Sequence, residues 1–304
     1  MKLRQLGEEG LIRRIARAIP AGPGVIQGIG DDCAVLKGPG RMLRLFACDM
    51  LVEGVHFTRK MPAEAVGWKA LAVNVSDVAA MGGLPRQAVI SIGLPPSTEV
   101  SFVDRFYRGL RRCARAYGVA LVGGDTNRAP RVVIDVAILG EVERNRVVYR
   151  SGARPGDLLL VTGRLGGSLR SGRHLSFRPR VREARLLRSK ARLHAMMDLS
   201  DGLNRDLMKL CEASGVSARV DLSRVPRNAG CSVEQALDDG EDFELLIAVS
   251  AREADPLLRW AQSGLPCGLR RIGSIVEKKG KPAATFIAPG PAAPRRPLSG
   301  FRHF

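Results

Sequence analysis

A chain of 304 residues, 45% hydrophobic and 26% charged, carries enough apolar material for one large domain or two ordinary ones, which excludes a disordered polypeptide. No stretch approaches 18 apolar residues and the opening MKLRQLGEEG is charged, so neither a membrane span nor a cleaved signal is read and a cytoplasmic protein is expected. The formal net charge of +18, with arginine outnumbering lysine about four to one, favours anionic partners without choosing among nucleotides, phosphorylated metabolites and nucleic acid. The six cysteines, at 33, 48, 113, 211, 231 and 267, form no CxxC pair and no metal-ligand spacing. They are read as reduced thiols.

Leu11, Ile12, Ile15 and Ile19 recur at helical spacing and predict an amphipathic helix that stops at Pro20. After a Gly/Pro-rich loop, Arg44 to Cys48 predicts a buried strand delivering Asp49. Ala63 to Met81 predicts a mostly apolar helix ended by Gly82-Gly83. A strand from Gln87 to Gly93, a helix from about Ser97 to Tyr117, and strands over Val119 to Val122 and Val132 to Val142 follow. The turn-rich segment from Ser151 to Asp157 marks a domain boundary. Beyond it come a strand from Leu158 to Val161, a helix after Asp201, strands near Ser217–Leu222 and Phe243–Val249, and a helix near Ala251–Trp260. Both halves mix strands and helices, which predicts α+β or α/β domains.

Acids recur at the ends of apolar strands or beside glycines: Asp31-Asp32, Asp49, Asp77, Asp125, Asp198 and Asp201. Carboxylates held on rigid elements are how oxygen ligands are offered to a hard divalent cation. Any one of them is equally well an Asx turn, and Asp198-Leu-Ser-Asp201 equally well a helix N-cap. The order and number of these acids carry the stronger reading. No P-loop, protein-kinase signature, Gly-x-Ser-x-Gly elbow or His-rich zinc pattern occurs, which removes those nucleotide-binding and hydrolytic classes.

In order, GIGDDCAVL, DMLVEGVHF, VNVSDVAAMGG, VGGDT, YRSGARPGD, VTGRLGG, DLSDGL and GEDFELL resemble the motifs of the thiamine-monophosphate kinases, which belong to an aminoimidazole ribonucleotide synthetase-like superfamily. The resemblance implies a two-domain architecture. Residues 1–150 would form an N-terminal α+β domain that binds metal and ATP and dimerises through its sheet; residues 151–304 would form a C-terminal α/β domain completing the active site. It implies transfer of the γ-phosphate of ATP to thiamine phosphate. It further implies a cluster of several Mg2+ ions on Asp32, Asp49, Asp77, Asp125, Asp198 and Asp201. ATP contacts would come from Tyr107, Gly124, Asp125, Arg150 and Ser200, and thiamine contacts from His56, Glu241 and Phe301, with Asp49, Asp125 and Arg150 acting in catalysis. Arg150 suits phosphate as a planar, permanently charged donor, and Phe301 suits stacking on a pyrimidine ring.

Two departures stand out. Ala47 and Cys48 precede Asp49 where the family usually carries hydroxyl residues, and the segment between Gly167 and Met197 is short and rich in arginine. The acceptor, a phosphate monoester with a second pKa of about 6, is already an anionic nucleophile at neutral pH, so no general base is needed. The rival readings are another ATP-dependent member of the superfamily, a nucleotide-binding scaffold, and a nucleic-acid-binding protein using Arg164–Arg192. The last is disfavoured because aromatic residues are only 5%, and a charge run is more often a solvated face.

Overall fold

A computed structural model describes residues 2–287. Helix α1 (Leu3–Ala18) leads into strands β1 (Val25–Gln27), β2 (Ala34–Lys37) and β3 (Met42–Val52). Helix α2 (Ala63–Ala80), β4 (Leu84–Leu94), helix α3 (Val100–Tyr117), β5 (Ala120–Arg128) and β6 (Val133–Glu143) complete the first unit. Its sheet runs β1-β2-β3-β6-β4-β5. Only β4 and β5 pair in parallel, the crossover between them being α3. Helix α1 begins earlier than its apolar periodicity predicts and breaks at Gly7, whose φ of 68° and ψ of 170° lie outside the helical region.

Strand β3 alternates strictly, with Leu43, Leu45, Ala47 and Leu51 on the buried face. The helices cover that face. Among the described residues no element covers the opposite face, which presents Phe46, Met50, Val89 and Val122 at 40–60% exposure. Helix α2 is apolar almost all round because it is enclosed by the first sheet, α3 and the second half of the chain. It approaches α3 at two glycines. A Cβ on Gly67 would stand 1.9 Å from the Phe106 carbonyl oxygen, and one on Gly109 1.8 Å from that of Glu64.

The second unit comprises β7 (Leu158–Thr162), α4 (Ser168–Ser171), α5 (Val181–Lys190), β8 (Leu193–Asp198), α6 (Leu203–Ser214), β9 (Ser217–Asp221) and α7 (Val233–Asp238). It continues through β10 (Leu245–Val249), α8 (Ala251–Gly264), β11 (Leu269–Val276) and β12 (Ala284–Ile287). The sheet runs β12-β9-β11-β7-β10-β8, and among its described strands β9 and β12 pair in parallel while the others pair antiparallel. Strands β7 and β10 are buried along their whole length. One of their faces meets Leu203, Leu207 and Leu210 of α6, and the other meets Leu187 of α5 and Leu257 of α8. Strand β8, absent from the sequence reading, is buried on both faces and so lacks the alternation that marks a half-buried strand. Among the described residues no helix is long and apolar enough to cross a membrane.

The arginine-rich segment is not simply the solvated face that charge runs suggest. Arg173 pairs with buried Asp242, Arg180 with buried Glu244 at 2.5 Å, and Arg185 with Glu143. Arg185 reaches from α5 to β6, bonding Glu143 at 2.5 and 2.7 Å and the Gly82 carbonyl at 3.2 Å. These hydrogen bonds hold the Glu143 carboxyl down to about 2. A depressed carboxylate stabilises the fold above its unfolded value of 4.5 and loses that contribution as the pH falls towards about 2. Glu143→Gln is therefore expected to lower stability at pH 7 by on the order of 1 kcal/mol, allowing for solvent screening. The difference from wild type should shrink between pH 4.5 and 2, as read by urea unfolding at stepped pH. A pH-independent difference would disprove the assignment.

Candidate active site

Positions 69, 73, 76 and 77 of α2 fall at i, i+4, i+7 and i+8, one face of a helix. On an otherwise apolar rod this face carries Lys69, Ser76 and Asp77. The Ser76 hydroxyl donates to the Asp198 carboxylate. From the flank of α2, the Asn74 side-chain oxygen accepts the Asp49 backbone N–H at 3.1 Å. Helix α2 thus aligns groups from β3 and β8 on one rigid element. The acids were expected at the ends of apolar strands or beside glycines, and their placements differ. Only Asp198 ends a strand; Asp49 and Asp125 lie inside β3 and β5, Asp77 is helical, and Asp32 sits in the bend between β1 and β2.

Four of these acids form one electrostatic cluster. Desolvation pushes the Asp77 and Asp198 carboxyls well above the usual range, and repulsion from Asp49 and Asp32 adds to it at both. Burial, with Asp32 next to it, pushes Asp31 up to about 7. Arg150 is the nearby counter-charge. Its Nη2 lies 2.5 Å from Asp32 Oδ1, and its backbone N–H donates to Asp31. That compensation is incomplete, because Asp32 Oδ2 and Arg150 Nε are buried and find no hydrogen-bond partner among the described residues.

Asp201 is served differently, by Lys209 at 2.5 Å, and its backbone N–H donates to Asp206 at 2.9 Å. The N-cap of α6 is Gly202, so neither Asp198 nor Asp201 serves as a helix cap. Hard oxygen donors, surplus negative charge and an orphaned carboxylate oxygen fit a divalent cation. Among the described residues no three His, Cys, Asp or Glu side chains close into a ready-made cage. Mg2+ suits such an open arrangement, since it usually takes one or two carboxylates and completes its shell with water and substrate phosphates.

A cavity of about 220 Å³ is lined by Asp49, Asp77, Ser200, Asp201, His56 and Glu241, with Phe243 beside them. Six residues expected at the site from distant segments thus share one space. His56 Nδ1 accepts the Val52 backbone N–H at 3.0 Å, so a neutral ring carries its proton on Nε2. Glu241 and Phe243 have φ of 55° and 51°, backbone strain that non-glycine residues carry mainly at functional sites. Phe243 is held by stacking on Phe177, with centroids 3.9 Å apart. Alternate acids of GEDFELL point elsewhere: Asp242 to Arg173, Glu244 to Arg180 and the Thr162 hydroxyl.

Asp32, Asp198 and Arg150 belong to the charged cluster but do not line this cavity, and three further expected residues lie apart from both. Tyr107 is half-buried on α3, edge-on to Phe106. Gly124 and Asp125 sit on β5 opposite Ile90 and Ser91, and Asp125 accepts the Thr126 backbone N–H. Between β3 and β5 stand β6 and β4, three strand spacings or roughly 14 Å. Asp49 and Asp125 of one chain therefore cannot ligate the same ion. Phe301 lies outside the described residues. Reasoning from sequence missed Lys69, Asn74, Ser76, Asp206 and Lys209. Of these, Asp206 and Lys209 were detectable, as an i, i+3 pair on a helix beginning just after Asp201.

Residues 30–142 match the family described as AIR synthase related protein, N-terminal domain, and residues 154–283 match its C-terminal domain. The class defined by this pair of matches and by the acid-lined cavity is a two-domain AIR synthase related protein. Thiamine-monophosphate kinase of Rhodopirellula baltica is 37% identical over 278 residues, covering 85% of this chain and 86% of the relative. That of Aquifex aeolicus is 37% identical over 294 residues, covering 87% and 92%. Among solved structures, AaThiL complexed with AMPPCP and TMP matches with a TM-score of 0.84 at 34% identity, covering 100% of this chain and 99% of that one. The chain belongs to the thiamine-monophosphate kinase family.

Proposed function

We propose that this protein transfers the γ-phosphate of ATP to thiamine phosphate, forming thiamine diphosphate by direct in-line transfer. The observation that carries the reading is the single cavity in which Asp49, Asp77 and Asp201 face His56 and Glu241. Acids for a metal–polyphosphate end and a histidine–glutamate wall for the vitamin end meet there. The acceptor phosphate is anionic at neutral pH, so the enzyme's task is to bring two anions together rather than to remove a proton. Several Mg2+ ions, when bound by Asp32, Asp49, Asp77, Asp125, Asp198 and Asp201, supply the positive charge that screens this repulsion. Arg150, anchored through Asp32, presents further positive charge to the transferring group, and Ser200 holds the Glu241 segment through its carbonyl at 2.7 Å. Residues 1–150 contribute metal and ATP contacts, and residues 151–304 complete the active site. We assign the reaction to the cytoplasm, where ATP is available as co-substrate.

The site is shared between two copies of the chain. Asp125 stands roughly 14 Å from Asp49 across the intervening strands, and the uncovered sheet face carries Phe46, Met50, Val89 and Val122. A two-fold dimer through that face covers apolar surface and brings Asp125, Gly124 and Tyr107 of a second copy to the cluster. Asp49→Asn and Asp125→Asn are each expected to be nearly inactive in thiamine diphosphate formation. Unfolded and refolded together, they should regain about a quarter of wild-type activity, because half the dimers would then hold one intact site. No recovery from mixing would place both aspartates in one chain's site and overturn the shared arrangement. Wild-type protein that releases no thiamine diphosphate from ATP and thiamine phosphate would overturn the function.

A further inference from the structure

Lys69 is 0% exposed, in the middle of α2. An ammonium group taken out of water is unfavourable unless its donors are used. Here Nζ donates to the His56 carbonyl at 3.0 Å and to Glu241 Oε2. One side chain therefore ties together the two residues of the acceptor wall, which come from opposite halves of the chain. The Glu241 backbone is fixed as well: its N–H donates to the Ser200 carbonyl at 2.7 Å, and its carbonyl accepts the Ser168 hydroxyl at 2.6 Å. Behind it, buried His174 shares its Nδ1 with the Ser168 carbonyl at 3.1 Å. Among the described residues no hydrogen bond engages the second Glu241 carboxylate oxygen, and Glu241 lines the cavity.

We propose that Lys69 is a positioning residue for the phosphoryl acceptor, holding the His56 turn and one oxygen of Glu241 so that the other oxygen faces the bound ring. The inference rests on the reading that the acceptor's ring portion lies against His56 and Glu241. Lys69 acts through those two residues and touches neither ATP nor metal. Asp77, at the polyphosphate end, lies eight residues along the same helix, about 12 Å at 1.5 Å per residue. That separation lets the acceptor end be perturbed while the nucleotide end is left in place.

Lys69→Met, close in length and without charge, separates this role from a merely structural one when initial rates are measured with each substrate varied in turn. The KM for thiamine phosphate should rise about tenfold or more, with the KM for ATP within about twofold and kcat within about threefold of wild type. If Lys69→Met alone fails to fold, Lys69→Met/Glu241→Gln leaves no unpaired charge at the junction and provides the folded protein. Its acceptor KM should exceed that of Glu241→Gln by no more than about threefold, because the larger part of the Lys69 effect passes through the Glu241 carboxylate and only the contact to the His56 carbonyl remains to be lost. An unchanged acceptor KM in folded protein, an equal rise in both KM values, or multiplicative effects in the double variant would overturn the proposal. A wild type that does not use thiamine phosphate would instead overturn the functional reading, and this inference with it.

Discussion

Asp77→Asn should lower kcat for thiamine phosphate on the order of a thousandfold while raising the melting temperature of the Mg2+-free protein. The two effects share one cause. Asp77 is enclosed with Asp49, Asp198 and Asp32 at its back, and desolvation together with their repulsion makes its charge unfavourable in the folded state. An amide of the same shape relieves that repulsion, and a gain of about 1–2 kcal/mol is expected. The same relief removes the negative charge that holds a divalent cation, so adding Mg2+ should stabilise wild type more than the variant. Calorimetry with and without Mg2+, beside a turnover assay, reads all three quantities. A lower melting temperature without Mg2+, or near-normal turnover at saturating Mg2+, would refute the role assigned to this residue.

Gly67→Ala should destabilise the protein by about 3 kcal/mol or more and lower activity in whatever remains folded. The added Cβ would stand 1.9 Å from the Phe106 carbonyl oxygen and 2.9 Å from the Leu110 nitrogen. Both are helix backbone, so no rotamer change relieves the clash and α3 has to move away from α2. Displacing α2 also displaces Lys69, Asn74, Ser76 and Asp77 together. Urea unfolding with parallel kinetics checks this, and an alanine variant of wild-type stability would show that the two helices do not pack this closely in solution. Substitution at exposed Gly22, where a Cβ meets nothing within 4 Å, provides the control.

Local pattern made much of the first half legible. A mostly apolar run ended by Gly82-Gly83 marked α2, amphipathic spacing marked α3, and apolar runs marked β3, β4 and β6. Strand β8 and helix α5 escaped notice. The first is buried on both faces and so loses its alternation, and the second is masked by arginines that turn inward to Glu143 and Glu244. Lys69 was hidden for a similar reason. A lysine in an apolar helix reads as its solvent side until the partner, Glu241, is seen arriving from the other half of the chain.

What the amino-acid order alone determined was the inventory: which acids exist, that they lie beside apolar elements or glycines, and that no P-loop or protein-kinase signature competes with them. Only the tertiary structure decided which of them meet. Helix α2 gathers Asp49, Asp77 and Asp198 through Asn74 and Ser76, Lys209 takes up Asp201, and the strand order carries Asp125 to the far edge of the sheet. Periodicity records which face of an element is buried, because that is a local property. It does not record what is buried against it, because strand order and helix contacts join residues far apart in the chain.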